Sequence, residues 1–430
     1  MNSLRSFQSM VFSGCLGLAL VMVSSWASAT SFHDVLDTTL ERNPKVRAAS
    51  QRLKSAQERD PQSQAALLPT VTLSAGISHS DTEWSTGDSS STPSEISLGL
   101  TQTLFNKQAF TAYAQSEPYI RTFEKDLDAA RQGVIFEAIE AALKVMEAEE
   151  VAELSKNNEK LIERHLSATK ARYQVGEITR TNVSQAVSRL SSATADRIKA
   201  ENGISSTLAR FLEVTGVVPP EQMTVPEPAN DITGLSHDAL FERLSSRPDL
   251  QAASLRVRVA EMTARIKHEA HYPTVSLSGE LSRGWNSASG LGDPVDGMSV
   301  ALTASLPLFS GGMVQSQTRE AWADHKAQVA DLSRIQRQAQ REVAQAQLDF
   351  QSSEATVKAY ESVVAAGQAA LDGVEQEFQV GTRTALEVLD AQYELFSAQT
   401  QLTQNRYARL LARYRLLYAV GMLDQSVINQ

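Results

Sequence analysis

Chemistry needs reactive side chains at workable spacing, and this chain of 430 residues offers few. His268 and His271 stand three positions apart at a helix end, a spacing that could share a metal, but no third ligand is apparent. Asp293 and Asp296 sit in a polar loop with nothing further to support a calcium site. No Ser/His/Asp set, phosphate loop or HExxH motif occurs, so hydrolysis and phosphoryl transfer have no residues to carry them. The only cysteine is Cys15, in the N-terminal leader, which leaves the mature chain without thiol or disulfide chemistry. No enzyme activity, metal or cofactor is expected. Glu387 and Asp390 lie one helical turn apart and therefore on one helix face, where acids are ordinarily just solvated.

What must position such residues begins with a leader. Arg5 is followed by an apolar run from Val11 to Val23 and then by Ala27-Ser28-Ala29, the layout of a secretory signal peptide over residues 1–29. The run is too short to span a bilayer as a helix, and no stretch of about 18 apolar residues occurs elsewhere. If this protein crosses a membrane, it does so with strands. The formal net charge of −10, without a Lys/Arg cluster, argues against nucleic acid as a partner.

The chain is written twice. Residues 44–74 align without a gap on residues 248–278, and Pro69-Thr70-Val71-Thr72-Leu73-Ser74 falls on Pro273-Thr274-Val275-Ser276-Leu277-Ser278. Tyr173-Gln174-Val175-Gly176 likewise falls on Phe378-Gln379-Val380-Gly381. A period near 200 residues is too long for a solenoid unit and reads as one structural half duplicated and fused. The first repeat covers residues 30–215, with strands about 69–80 and 95–105 and a tip turn near Gly176. A proline-rich linker, 216–235, leads to the second repeat, 236–423, with strands about 273–283 and 298–309 and a tip turn near Gly381. Residues 424–430 form a tail.

Each half reads as a short helix, two strands, a very long helix and a returning long helix. The helix of the first half is expected from Asp37 to Gln64, with Asn43-Pro44 as a break or helix start. Val71, Leu73, Ala75 and Ile77 alternate with Ser, Thr and Gly, and so do Ile96, Leu98 and Leu100, and Met298, Val300 and Leu302. Apolar residues then recur at steps of three and four from about Asn106 to Arg172 and from about Gly312 to Glu377, rods of roughly 100 Å each. Pro118 is the one strong candidate for a kink in the first rod.

The strands decide the class. Alternation of an aliphatic face with a small polar face suits the wall of a transmembrane barrel, although a soluble sandwich fits the strand pattern equally well. In lipid, four strands cannot leave open edges, because unpaired backbone groups there cost several kcal/mol each. Two chains would give a barrel filled by side chains, whereas three give twelve strands and an open lumen. Helices rich in Ala, with Gln, Glu, Arg and Ser elsewhere, suit a broad hollow bundle.

The sequence Phe378-Gln379-Val380-Gly381-Thr382-Arg383-Thr384, continued by Glu387-Val388-Leu389-Asp390-Ala391-Gln392, resembles the periplasmic tip of the TolC family of outer-membrane efflux and type I secretion channels. Leu306-Pro307-Leu308-Phe309-Ser310-Gly311-Gly312 resembles that family's strand-to-helix junction. The resemblance implies a homotrimer with a 12-stranded β-barrel in the outer membrane and a long α-helical barrel as a periplasmic tunnel. Its partners would be a periplasmic adaptor and an inner-membrane pump. The family's gate maps onto Glu387 and Asp390 as an acidic ring, and onto Arg383, Thr181, Asn182 and Phe378 as a latch. Asn182 stands where the family's best-known member has an aspartate and Phe378 where it has a tyrosine, so a charged latch becomes neutral and weaker, or other contacts replace it. A poreless periplasmic coiled-coil adaptor is the competing reading; it would have no need of four lipid-facing strands.

Overall fold

A computed structural model describes residues 32–84, 87–220, 223–228, 232, 234–286 and 294–424. The leader, Cys15, Asp293 and most of the tail lie outside the described residues.

Caps and prolines divide the first helix of the sequence reading. It forms three pieces, α1 (Phe32–Arg42), α2 (Pro44–Gln57) and α3 (Arg59–Ala65). Asn43 makes the first break: its side chain accepts from the Lys45 amide, with Pro44 at the first helical position, where no amide hydrogen is needed. β1 (Thr70–Ile77), a ribbon of β2 (Ser80–Trp84) and β3 (Gly87–Ser91), and β4 (Ser94–Asn106) follow. The ribbon occupies what the sequence reads as a polar loop. Its run of Ser, Thr and acidic residues lacks the aliphatic alternation that marks the other strands.

β4 passes directly into α4 (Lys107–Gln174), where Asn106 caps the helix by accepting from the Ala109 amide. At 68 residues α4 is about 100 Å long, and it runs unbroken through Pro118. α5 (Arg180–Thr215) returns along it. The second half comprises α6 (His237–Glu242), α7 (Pro248–His268), β5 (Thr274–Trp285), β6 (Val295–Ser305), α8 (Met313–Gln379) and α9 (Ala385–Ala419). α8 and α9, at 67 and 35 residues, match α4 and α5, at 68 and 36.

β1, β4, β5 and β6 form one antiparallel sheet in that order, leaving β1 and β6 as edges. The register aligns Leu73, Leu98, Leu281 and Met298 in one row and Thr72, Gly99, Glu280 and Ser299 in the next. One face of the sheet is therefore aliphatic across all four strands, and the other is small and polar.

The main core is a girdle around the middle of the rods. Ile139, Leu143, Phe211, Val343 and Leu417 bury against one another, and α1 adds Val35 and Leu36. The segment read as a connector joins this core: Met223, Val225 and Ile232 are buried in it, and the fully buried Tyr414 donates its hydroxyl to the Pro226 carbonyl. Apolar residues among the prolines explain the difference, since burying them outweighs leaving an extended linker in water.

Candidate functional site

Both rods end in the same turn. Gly176 and Gly381 adopt φ of +79° and +81°, a left-handed conformation that favours glycine. In the first tip the Glu177 amide donates to the Arg172 carbonyl and the Gly176 amide to the Tyr173 carbonyl, each at 3.0 Å. In the second, Thr382 donates to Glu377 and Gly381 to Phe378 in the same pattern. The two turns thus present homologous side chains in homologous places, and the differences between them are chemical.

In the second tip, Glu387 has two local duties. Thr384 and Glu387 form a reciprocal capping box at the start of α9, and Glu387 also takes a 2.6 Å bond from Arg383. The hydrogen bond from Arg383, followed by those from Thr384, holds the Glu387 carboxyl below its ordinary range, so it is ionised at neutral pH. Arg383 extends its other arm to Glu377 at 2.7 Å. Within the described residues of one chain, Arg383 therefore bonds inside its own hairpin rather than to Thr181 or Asn182. Two carboxylates within six residues are nearer partners than a helix turn on the other hairpin. Thr181 is exposed on the first turn of α5, and the Asn182 side chain accepts from the Thr179 hydroxyl at 2.6 Å.

The second acid of the pair, Asp390, takes a hydrogen bond from Arg189 of α5, 201 positions away. Phe378 lies beneath Arg172 of α4, whose guanidinium carbon is 4.4 Å from the ring centroid. Without a hydroxyl, the Phe378 ring holds to the first hairpin through a cation. Neither arginine stands out in the sequence reading. The signal was available in the opposed charge of the tips: residues 163–190 carry five basic and two acidic side chains, and residues 375–394 one basic and five acidic.

Between the hairpins, His165, Arg172, Phe378 and Leu389 border a cavity of about 50 Å³. Burial pushes the His165 imidazole below its usual pKa of 6.5, and Glu375 opposes that shift. Ile162, Leu166, Ala186, Ala193 and Leu389 pack as a small core that joins α9 to the first hairpin.

At the other end of the rods, Leu306 to Gly312 link β6 to α8. Gly311 and Gly312 both have positive φ, 63° and 81°, and Gly312 stands at the helix start. After Pro307, Leu308 and Phe309 project outward at 89% and 87% exposure. Trp285 closes the opposite end of β5, half-exposed on the aliphatic face. His268 and His271 touch edge to face, and among the described residues no group of three or more His, Cys, Asp or Glu is placed to hold a metal. No helix among those residues is long and apolar enough to cross a membrane.

Comparisons with known proteins agree with this geometry. The family model for outer membrane efflux proteins matches residues 35–217 and 240–422, one match per repeat. The chain is 27% identical over 417 residues to the outer membrane protein TolC of Vibrio cholerae, covering 95% of this chain and 94% of that protein. It is 24% identical over 426 residues to the alkaline protease secretion protein AprF of Pseudomonas aeruginosa, covering 95% and 88%. In fold it resembles the CmeC outer membrane channel of Campylobacter jejuni, with a TM-score of 0.81 at 18% identity over 92% of this chain and 86% of that one.

Proposed function

The chain belongs to the outer membrane efflux protein family and serves as an outer-membrane exit duct, and from that premise we propose that three copies close one tube with a gate at its periplasmic tips. The family is one of channels and not of enzymes, and a poreless scaffold does not fit it. The observation that carries the trimer is the open sheet. β1 and β6 leave two unpaired edges beside a continuous aliphatic face, on which Leu73, Met298 and Leu302 are 68%, 78% and 67% exposed. Lipid tolerates the face and forbids the edges. Joining β1 of one copy to β6 of the next removes every edge, and twelve strands leave a lumen lined by Ser, Thr, Gly and Glu280. Phe309 and Trp285 then mark the two rims of the lipid band, as aromatic residues do at membrane interfaces.

Below the sheet, α4, α5, α8 and α9 of three copies continue the tube. Six tips converge at its end, with Glu387 and Asp390 at the mouth and Gly176 and Gly381 at the turns. Arg383 faces Thr181 and Asn182 of the neighbouring copy. The contacts within one chain, Arg172 on Phe378 and Arg189 on Asp390, supply closure that the neutral Asn182 does not. The names of the relatives span efflux and protease secretion, and the partners that fit both are a periplasmic adaptor and an inner-membrane pump. A detergent-resistant, heat-modifiable trimer in the outer-membrane fraction that conducts ions in a bilayer is the expected result; a soluble monomer contradicts the reading.

A further inference from the structure

We propose that Arg189 sets the ion selectivity of the periplasmic mouth by serving as the built-in counter-ion of Asp390, so that the acidic ring is electrically masked. The inference rests on the tip ring proposed above and goes beyond it, because a ring of bare carboxylates would make the mouth strongly cation-selective.

Each carboxylate of the pair is already occupied. Glu387 is held by the Thr384 capping box and by Arg383, which also bridges to Glu377. Asp390 receives the Arg189 guanidinium from the other hairpin, and the same guanidinium lies 5.6 Å from the centroid of the Tyr393 ring. Arg189 is thus held between two side chains of α9, one turn past the tip, and its stem leaves α5 beside the small core formed by Ala186 and Leu389. The pairing is also placed where the duplication is asymmetric. Basic residues dominate the first tip and acidic ones the second, so around a ring of six hairpins the two signs alternate. Alternating charges produce a field that decays within a few ångströms, whereas a ring of one sign repels every co-ion that enters. A mouth built this way passes anionic and cationic cargo with little bias.

Reversal potentials in planar bilayers under a KCl gradient test this, with the full-length trimer and the variants Arg189→Gln, Arg189→Lys and Arg189→Gln/Asp390→Asn. The wild type should be weakly selective. Arg189→Gln should raise the cation-to-anion permeability ratio at least about fivefold, the effect of even one of the three uncovered charges some 4 Å from an ion's path. Arg189→Lys should stay near the wild type, and the double variant should return to it. An Arg189→Gln ratio equal to the wild-type ratio overturns the proposal, as does a wild type already as cation-selective as that variant. If Arg189→Gln does not assemble, Asp390→Asn alone decides. It leaves Arg189 unopposed and should shift the ratio below that of the wild type, and no shift overturns the inference. The tip reading itself fails on a different pattern, in which neither Arg189 nor Asp390 variants move the ratio but Glu280→Gln in the strand lumen does.

Discussion

Replacing Arg172 by Gln should loosen the gate without disturbing the turn that carries it. The backbone carbonyl of Arg172 accepts the tip hydrogen bond from Glu177, and the substitution leaves that carbonyl in place. What is lost is the cation over Phe378, 4.4 Å from the ring centroid. A half-exposed contact of this kind is worth about 0.5–1 kcal/mol. If three chains open together, the losses add to about 1.5–3 kcal/mol, and each 1.4 kcal/mol is tenfold in an equilibrium. The open fraction in single-channel records should therefore rise between about ten- and a hundredfold. Phe378→Leu keeps an apolar side chain beside Leu371 and Val388 while removing the ring, and it should shift the gate similarly. Combining the two should add little, as expected for partners in one contact. Arg172→Lys keeps a cation and should fall between. An open fraction for Arg172→Gln within twofold of the wild type would refute the reasoning.

Acidification should also loosen the tips. Burial favours neutral His165 in the folded hairpins, so the loosened state binds the proton first and stability falls as pH drops below about 6.5, with Glu375 opposing the effect. Open fractions measured at pH 7.5 and 5.5 should diverge in the wild type and converge in His165→Gln. Arg247 bonds the Ala419 carbonyl at 2.9 Å, both oxygens of Asp249, and Glu342 at 3.0 Å, tying the end of α9 to α7 and α8. Because both acids are partly exposed, Arg247→Met should cost about 2–3 kcal/mol, less than a fully buried pair, and thermal unfolding of the trimer should fall by several degrees, with Arg247→Lys intermediate. Gly421 has φ of +76° and faces the Arg247 backbone, where an added Cβ would lie 2.8 Å from Cα. Gly421→Ala should therefore destabilise more than Gly176→Ala, which has the same backbone strain but open space around it.

The architecture was legible wherever the physics is local and periodic. Alternation of Val71, Leu73 and Ile77 marks a strand with one aliphatic and one small polar face, and steps of three and four mark rods over sixty residues long. Repetition made both readings stronger. The β2–β3 ribbon escaped because its serines and acids carry no periodic signal, and the break at Glu58 lies inside an otherwise helical pattern, whereas Asn43-Pro44 marked the first break. Burial of the linker depends on Tyr414 and Leu417, far along the chain. The tip was only half legible. Gly381 and the motif around Arg383 point to the turn, but pairing Asp390 with Arg189 or Phe378 with Arg172 joins hairpins about 200 positions apart. No spacing rule reaches that far; only the opposite charge of the two tips hinted at it. The sequence reading also gave Glu387 to the ring, while the structure gives its carboxylate a cap and an ion pair as well.

The central claim is that the sheet's aliphatic face meets lipid while its Ser/Thr/Gly face lines a water-filled duct. Cys15 is the sole cysteine and falls in the segment read as a leader, which makes cysteine scanning of β4 direct. Single cysteines at Ser97, Gly99 and Thr101 should react rapidly with a charged, membrane-impermeant thiol reagent in outer-membrane preparations. Cysteines at Ile96, Leu98 and Leu100 should resist that reagent and, once labelled with a fluorophore, be quenched by lipid-soluble quenchers. Equal reactivity of the two sets, or protection of both, would contradict a lipid-embedded barrel around an open lumen.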